Sequence, residues 1–208
     1  MTARIADAVN SRLIPTLLRH LGGRAETEDS IRIPIFVGIV TVAKNLPEVT
    51  REHQIIRLLT ILSQVFRSRS QETRDLAREA LCRISIILGL SYLPLMLREL
   101  RSALLRGPHL HALAYVTHAL LVHVTSAENI ATFEVLDNCV TDVVHVSAEV
   151  IFGESGKDVQ NEGFKTKTRE VRSSASRGLD SFAIIAKYIT PQKKILLARP
   201  QPLPYYEQ

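Results

Sequence analysis

The sequence predicts an all-α chain, a HEAT/armadillo-type α-solenoid of antiparallel helix pairs, and three observations carry that expectation. First, one phrase occurs twice: Leu13–Leu21 reads LIPTLLRHL and Tyr92–Leu100 reads YLPLMLREL. Pro15 aligns with Pro94, Leu18 with Leu97, Arg19 with Arg98 and Leu21 with Leu100, and upstream Arg4 and Ile5 align with Arg83 and Ile84, all at an offset of 79 residues. That offset is two units of roughly 40 residues, the length of stacked two-helix repeats. Second, apolar residues recur at helical period along most of the chain. Third, glycine, proline and polar breaks place repeat starts near residues 30, 71 and 108. Units of this kind act by exposing long surfaces to other macromolecules rather than by chemistry.

Each element follows from these signals in turn. Ala3 to Leu21 is the first helical stretch, and Gly22-Gly23 stops it. Ala25 to Ser30 is a polar connector. Ile33 to Leu46 is apolar nearly all round; its β-branched residues and Pro34 also suit a strand, but its helical neighbours favour a buried helix. Pro47 opens the next helix at its first position, with Ile55, Leu59, Leu62 and Phe66 facing inward. Ser68 to Gln71 is a turn. Glu72 to Leu88 presents Leu76, Ala80, Ile84 and Ile87 on one face, with Arg74 and Arg78 outside it, and Gly89 closes the helix.

Ser91 is the expected N-cap of the following helix, and Pro94 falls in its first turn, where a missing N–H matters little. Leu93, Leu97, Leu100 and Leu104 form its inward stripe, and Gly107-Pro108 breaks the chain again. Gly107 to Ala127 has no Lys, Arg, Asp or Glu. Its four histidines, its hydroxyl residues and the lack of a flanking basic belt make it a buried inner helix rather than a membrane span. Asn129 to Phe152 sets Phe133, Leu136, Val140, Val143, Ser147 and Val150 on one side. The polar run Gly153–Lys165 precedes a last helix over Lys167–Ile189. Residues 1–190 are thus expected to form a HEAT-type repeat segment with connectors near 22–30 and 153–165. Residues 191–208 carry Pro191, Pro200, Pro202 and Pro204 and are expected to form an irregular tail.

Composition excludes several functions. Hydrophobic residues make up 46% of the 208, ample for a continuous core. Cys82 and Cys139 lie far apart in apolar-periodic segments and lack metal-ligand spacing, so they are expected as reduced, buried thiols of an intracellular protein. Met1–Asn10 is amphipathic without an apolar block, so no signal peptide is expected. Aromatic residues are 5% and tryptophan is absent, which argues against base-stacking platforms. Gly153-Glu154-Ser155-Gly156-Lys157 imitates a phosphate-binding loop but has two residues between its glycines where four are needed, and Asp158 follows the lysine. Of His109, His111, His118 and His123, only His111 and His118 share a helix face, and no carboxylate lies within that stretch to complete a metal site. Core or interface histidines with one ring nitrogen satisfied are expected instead. Paired carboxylates and nucleophile-with-base spacings are not evident, so no enzyme, cofactor or small-molecule substrate is expected.

The charge is uneven. Its formal net value is +5. From Arg51 to Arg106 there are ten arginines and no lysine against five acids, and from Phe164 to Arg177 five basic residues against one acid. Arginine is the better fork for phosphate and carboxylate. Arg67, Arg69, Arg74 and Arg78, with Lys165, Lys167, Arg169 and Arg172, are the candidate contacts to RNA phosphate or acidic partners. Arg74 and Arg78 are i, i+4 neighbours that can present two guanidinium forks together. The same charges also suit a solvated helix face with internal ion pairs, such as Glu79 with Arg83.

Two strings carry a more specific signal. Ser68–Leu121 reads SRSQETRDLAREALCRISIILGLSYLPLMLRELRSALLRGPHLHALAYVTHALL, and Ile151–Ser174 begins IFGESGKD and continues EGFKTKTREVRSS. In this order they resemble the down-regulated-in-metastasis family, the U3 small nucleolar RNA-associated protein 20 family of very large HEAT-repeat proteins of the small-subunit processome. The resemblance covers roughly Ile33 to Thr190, and the ELR…LxRGxxLHxL phrase is its most specific part. It implies a nucleolar scaffold of helical repeats without a catalytic centre, acting in processing of the small-subunit ribosomal RNA precursor. It also implies pre-ribosomal RNA and other processome proteins as partners, and a chain that is one piece of a far longer protein. After Ser174 the family tends to continue with a KSYD-like phrase, where this chain reads Ala175-Ser176-Arg177-Gly178-Leu179-Asp180. The alternative function class is a generic HEAT-repeat adaptor for transport or complex assembly, binding only protein.

Overall fold

The computed structural model describes residues 3–22, 29–105, 109–126, 136–152 and 169–198. Every regular element among them is helical: Ile33–Ala43 lies in a helix, Lys44–Leu46 turn, and the strand option is closed. Helix α1 (Ala3–Ala8) widens into a π-helical turn, Val9–Leu13, before α2 (Ile14–Leu21). Pro15 lies in the first turn of α2. Its ring crowds the carbonyl four residues back and it cannot donate, and a wider turn just ahead accommodates both. Helix α3 (Asp29–Ala43) holds Pro34 within it and buries Ile33, Phe36, Ile39, Val40 and Ala43. Its Arg32 is also buried. The Arg32 guanidinium donates to the carbonyls of Leu21 and, at 3.4 Å, His20, at the end of α2. A cation there satisfies orphan carbonyls and opposes the helix dipole.

Helix α4 (Glu48–Val65) starts one residue after Pro47, which occupies the N-cap position rather than the first turn. Ile55, Leu59, Leu62 and Phe66 are all buried, as the stripe required. Helix α5 (Gln71–Leu88) is capped by Ser70, whose hydroxyl accepts from the Thr73 N–H at 3.2 Å. Its buried arc contains Thr73, Ala77, Ala80, Leu81 and Ile84, while the expected Leu76 and Ile87 are only half-buried. The reason is that α5 packs against two neighbours, α3 and α7, so the buried arc is wider than one stripe and is centred elsewhere. Glu79 and Arg83, exposed on this helix, form no ion pair with each other.

Gly89 ends α5 at φ 85°, a left-handed conformation that glycine adopts without strain. A 3₁₀ turn, Leu90–Tyr92, then leads into α6 (Leu93–Leu104). Ser91 therefore does not cap α6: it lies inside the turn, and Tyr92 holds the N-cap position without a side-chain bond. Leu93, Met96, Leu97, Leu100 and Leu104 are buried. Helix α7 (Leu110–Val124) is buried around most of its circumference, which explains its lack of charge. Helices α8 (Val140–Phe152), α9 (Arg169–Tyr188) and α10 (Pro191–Ala198) follow. Helix α10 corrects the expected irregular tail over its first eight residues. Pro191 needs no N–H at a first helical position, and Asp137 accepts from the N–H of Thr190 at 2.9 Å and its hydroxyl at 2.7 Å. Gly107-Pro108, Phe133, the 153–165 connector with its glycine–lysine string, and residues 199–208 lie outside the described residues.

The helices pack in two rows. One runs α3, α5, α7, α9 and the other α4, α6, α8, each helix against the next of its row, and α2 covers α3 and α4. These are the neighbour relations that stacked two-helix units produce. One continuous apolar cluster runs from Ile14 to Ile189. Polar contacts tie the second row: Arg51 to the Tyr92 hydroxyl at 3.2 Å, Thr60 to Glu99 at 2.8 Å, and Arg101 to Asp142. At the α8–α9 crossing, a Cβ on Gly178 would stand 3.2 Å from Ile151, so glycine sets how closely these helices approach. No described helix is long and apolar enough to cross a membrane.

Leu97 is 2% exposed within this cluster. Leu97→Ala is expected to destabilise the chain by about 2–5 kcal/mol in denaturant unfolding. A loss below about 0.5 kcal/mol would remove Leu97 from the inter-helix core.

Candidate macromolecular interface

The basic residues singled out in the sequence have separate fates. Arg67 and Arg69 are exposed at the α4–α5 turn, with Arg67 donating to Gln64 at 3.3 Å. Arg74, one turn into α5, folds back on that turn. It donates to the carbonyls of Ser68 at 2.7 Å and Arg69 at 3.1 Å and to the Gln71 side chain at 2.8 Å. Arg78 pairs with Asp75 and lies 5.1 Å from the centre of the Tyr115 ring on α7. Arg74 and Arg78 thus do not present two forks together: one is used on backbone carbonyls and the other on a neighbouring helix. Arg169 and Arg172 fall in the first turns of α9, and Lys165 and Lys167 lie outside the described residues.

The structure also assembles a group the sequence did not mark. Arg177 of α9 lies 5.8 Å from the Tyr115 ring centre and 3.0 Å from His118 Nε2. A guanidinium only donates, so Nε2 accepts and His118 is neutral with its proton on Nδ1. That nitrogen faces the Ser181 hydroxyl at 3.5 Å, and the hydroxyl donates to the Arg177 carbonyl at 2.7 Å. Burial, and then the Arg177 charge, hold the His118 pKa below its usual value, in agreement with the neutral ring. Asp180 stands 3.7 Å from Arg177. Arg177, Tyr115 and His118 border an open groove of about 300 Å³ between α5, α7 and α9. The residue separation of 59 between His118 and Arg177 leaves no local sequence pattern from which the contact could be read.

Neighbouring titratable groups are inert. The Cys82 thiol is pushed up to about 11 because burial outweighs the nearby Arg78 charge. Cys139 is pushed up to about 12 by burial and then by Asp142. Neither forms a thiolate at neutral pH. His111 is buried, and neither ring nitrogen has a hydrogen-bond partner among the described residues, against the expectation that one would be satisfied. Burial lowers its pKa. His109, at the start of α7, is lowered by burial and then by Arg67 and Arg74. Among the described residues there is no cluster of three or more metal ligands.

Fold and surface define an all-α chain of stacked helices with arginines at its edges and a cationic groove on one side. The family model described as the U3 small nucleolar RNA-associated protein 20 domain matches residues 23–201. The chain is 32% identical over 200 residues to U3 small nucleolar RNA-associated protein 20 of Schizosaccharomyces pombe, covering 95% of this chain and 8% of that protein. It is likewise 32% identical over 203 residues to the Saccharomyces cerevisiae protein of the same name, covering 93% of this chain and 8% of that protein. The chain belongs to the U3 small nucleolar RNA-associated protein 20 family. It spans about 8% of the length of these relatives. The match also runs past Thr190, where the likeness had been expected to end.

The three lowered histidines set a pH dependence. Their folded pKa values lie below the ordinary 6.5. The unfolded chain therefore binds more protons once pH falls below about 6.5, and stability is lost in that direction. Thermal unfolding followed by circular dichroism should give a lower Tm at pH 5 than at pH 7.5. His111→Leu, which removes a buried ring without hydrogen-bond partners among the described residues, should reduce the difference. An unchanged difference would show that His111 takes up its proton equally in the folded and the unfolded chain.

Proposed function

We propose that this chain is a non-catalytic, HEAT-type segment of a small-subunit processome scaffold, acting in pre-ribosomal RNA processing and small ribosomal subunit biogenesis in the nucleolus. Its partners are pre-ribosomal RNA and other processome proteins, with no cofactor and no small-molecule substrate. Family membership over residues 23–201, with relatives named for association with U3 small nucleolar RNA, is the observation that carries this reading. The two rows of helices and the exposed Arg67 and Arg69 support it physically, because cations at a turn edge can meet a phosphate backbone without disturbing the core. Arg74 serves this edge by holding the turn that displays them. Lys165, Lys167, Arg169 and Arg172 form the second contact group, while Arg78, turned toward Tyr115, is left to an acidic protein partner.

The test is a salt titration of binding to a pre-ribosomal RNA fragment. It compares wild type with Arg67→Gln/Arg69→Gln and with Gln at Lys165, Lys167, Arg169 and Arg172. Each variant should bind more weakly with little sequence preference, and its salt slope should fall by roughly 0.7 for each single-strand phosphate contact removed. Identical slopes and affinities for all three would replace this reading with the protein-only adaptor.

A further inference from the structure

We propose that the groove around Tyr115 is a docking site for a mixed-charge peptide segment of a protein partner. The segment inserts a carboxylate side chain between Arg78 and Arg177 and lays a basic side chain over the acids of α5. This surface is distinct from the Arg67–Arg69 edge, and the inference goes beyond the RNA-contact reading.

The basic end is built for a carboxylate. Arg78 and Arg177 both lie against Tyr115, at 5.1 and 5.8 Å from its ring centre. The ring and His118 fix the direction of the Arg177 fork before any ligand arrives, so less rotamer freedom is lost on binding. Arg177 Nε is buried and has no hydrogen-bond partner among the described residues. Its neighbour Asp180 is half-exposed and 3.7 Å away, a loose intrahelical pair. Ala119 and Val122 line the same groove, and Val122 is 46% exposed.

The other end carries the opposite charge. The groove shares Arg78 and Cys82 with an adjoining groove of about 910 Å³ along α5, lined by Glu72, Asp75 and Glu79 as well as Arg83. A nucleic-acid strand seated with one phosphate at the arginines would carry its next charges over Glu72 and Glu79, where like charges repel, while Asp75 is already held by Arg78. A peptide with an Asp or Glu and, a few residues away, a Lys or Arg complements both ends, and its aliphatic atoms meet Ala119 and Val122. Charge complementarity along one continuous surface therefore favours protein over RNA here.

A random 12-residue phage-displayed library, panned on the 208-residue chain and counter-selected on Arg177→Gln, tests this directly. Enriched peptides should carry an acid with a basic residue nearby. Fluorescence anisotropy of the synthesised peptides should show binding about tenfold weaker to Arg177→Gln, the scale of a charged hydrogen bond. Val122→Glu, a rim change that leaves the core intact, should weaken binding similarly by placing a competing carboxylate beside the arginines. Arg67→Gln/Arg69→Gln should not alter it, and a 20-nucleotide oligouridylate should not displace the peptide. Circular dichroism checks that the variants keep their helicity. Failure to enrich any peptide, enrichment without acids, or equal affinity for wild type and both groove variants would overturn the proposal. Displacement by oligouridylate would assign the groove to RNA instead.

Discussion

Burial of two flanks at once is the constraint on which the rest of this structure depends. Helix α5 lies between α3 and α7, and α7 between α5 and α9. Helix α7 is flanked by α6 and α8 as well, so it has no broad solvent face and charge is expelled from it, whereas α5 keeps an exposed strip that carries Glu72, Glu79 and Arg83. Helix α7 shows the result: Leu110–Val124 has no Asp, Glu, Lys or Arg. Its His111 and His118 are held toward the neutral form because a buried imidazolium would lose its hydration without compensation. The same demand explains Gly178 at the α8–α9 crossing, where a side chain would meet Ile151.

Arginines on similar helix margins do different work because their partners differ. Arg32 is turned onto the carbonyls that end α2, acceptors the helix itself leaves open, and Arg74 onto the carbonyls of the α4–α5 turn. Arg78 and Arg177 lean on an aromatic ring contributed by another helix. Arg67 and Arg69 remain exposed. Charge counts treat all six alike, but geometry leaves only some available to a partner. The α4–α5 turn is a case of division of labour, since Arg74 closes the turn from which Arg67 and Arg69 project.

Membership of a family of very long proteins fits a chain whose surface is more informative than its chemistry. Among the described residues no three metal ligands come together, and both cysteines are shifted away from reactivity. What the stack offers is a set of edges and grooves at fixed spacing. Exposed arginines at one turn and a mixed-charge groove elsewhere give the stack two distinct surfaces.

Helical class, the breaks at Gly22, at the α4–α5 turn and at Gly89, and the inward stripes of α4 and α6 were determined by the sequence itself. Each depends on local backbone chemistry and on a period of 3.6 that neighbouring residues carry between them, as with Gly89 ending α5 or Leu93, Leu97, Leu100 and Leu104 facing one way. Family likeness was legible for the same reason, being a property of contiguous strings. The buried arc of α5 and the failure of Ser91 to cap α6 were decided only by tertiary structure. So were the folding back of Arg74 and the meeting of Arg78, Tyr115, His118 and Arg177. These depend on which helices become neighbours and at what rotation, and that is set by packing two flanks simultaneously between segments far apart in the chain. Helical period says which residues share a face, but only the neighbouring helix determines what that face touches.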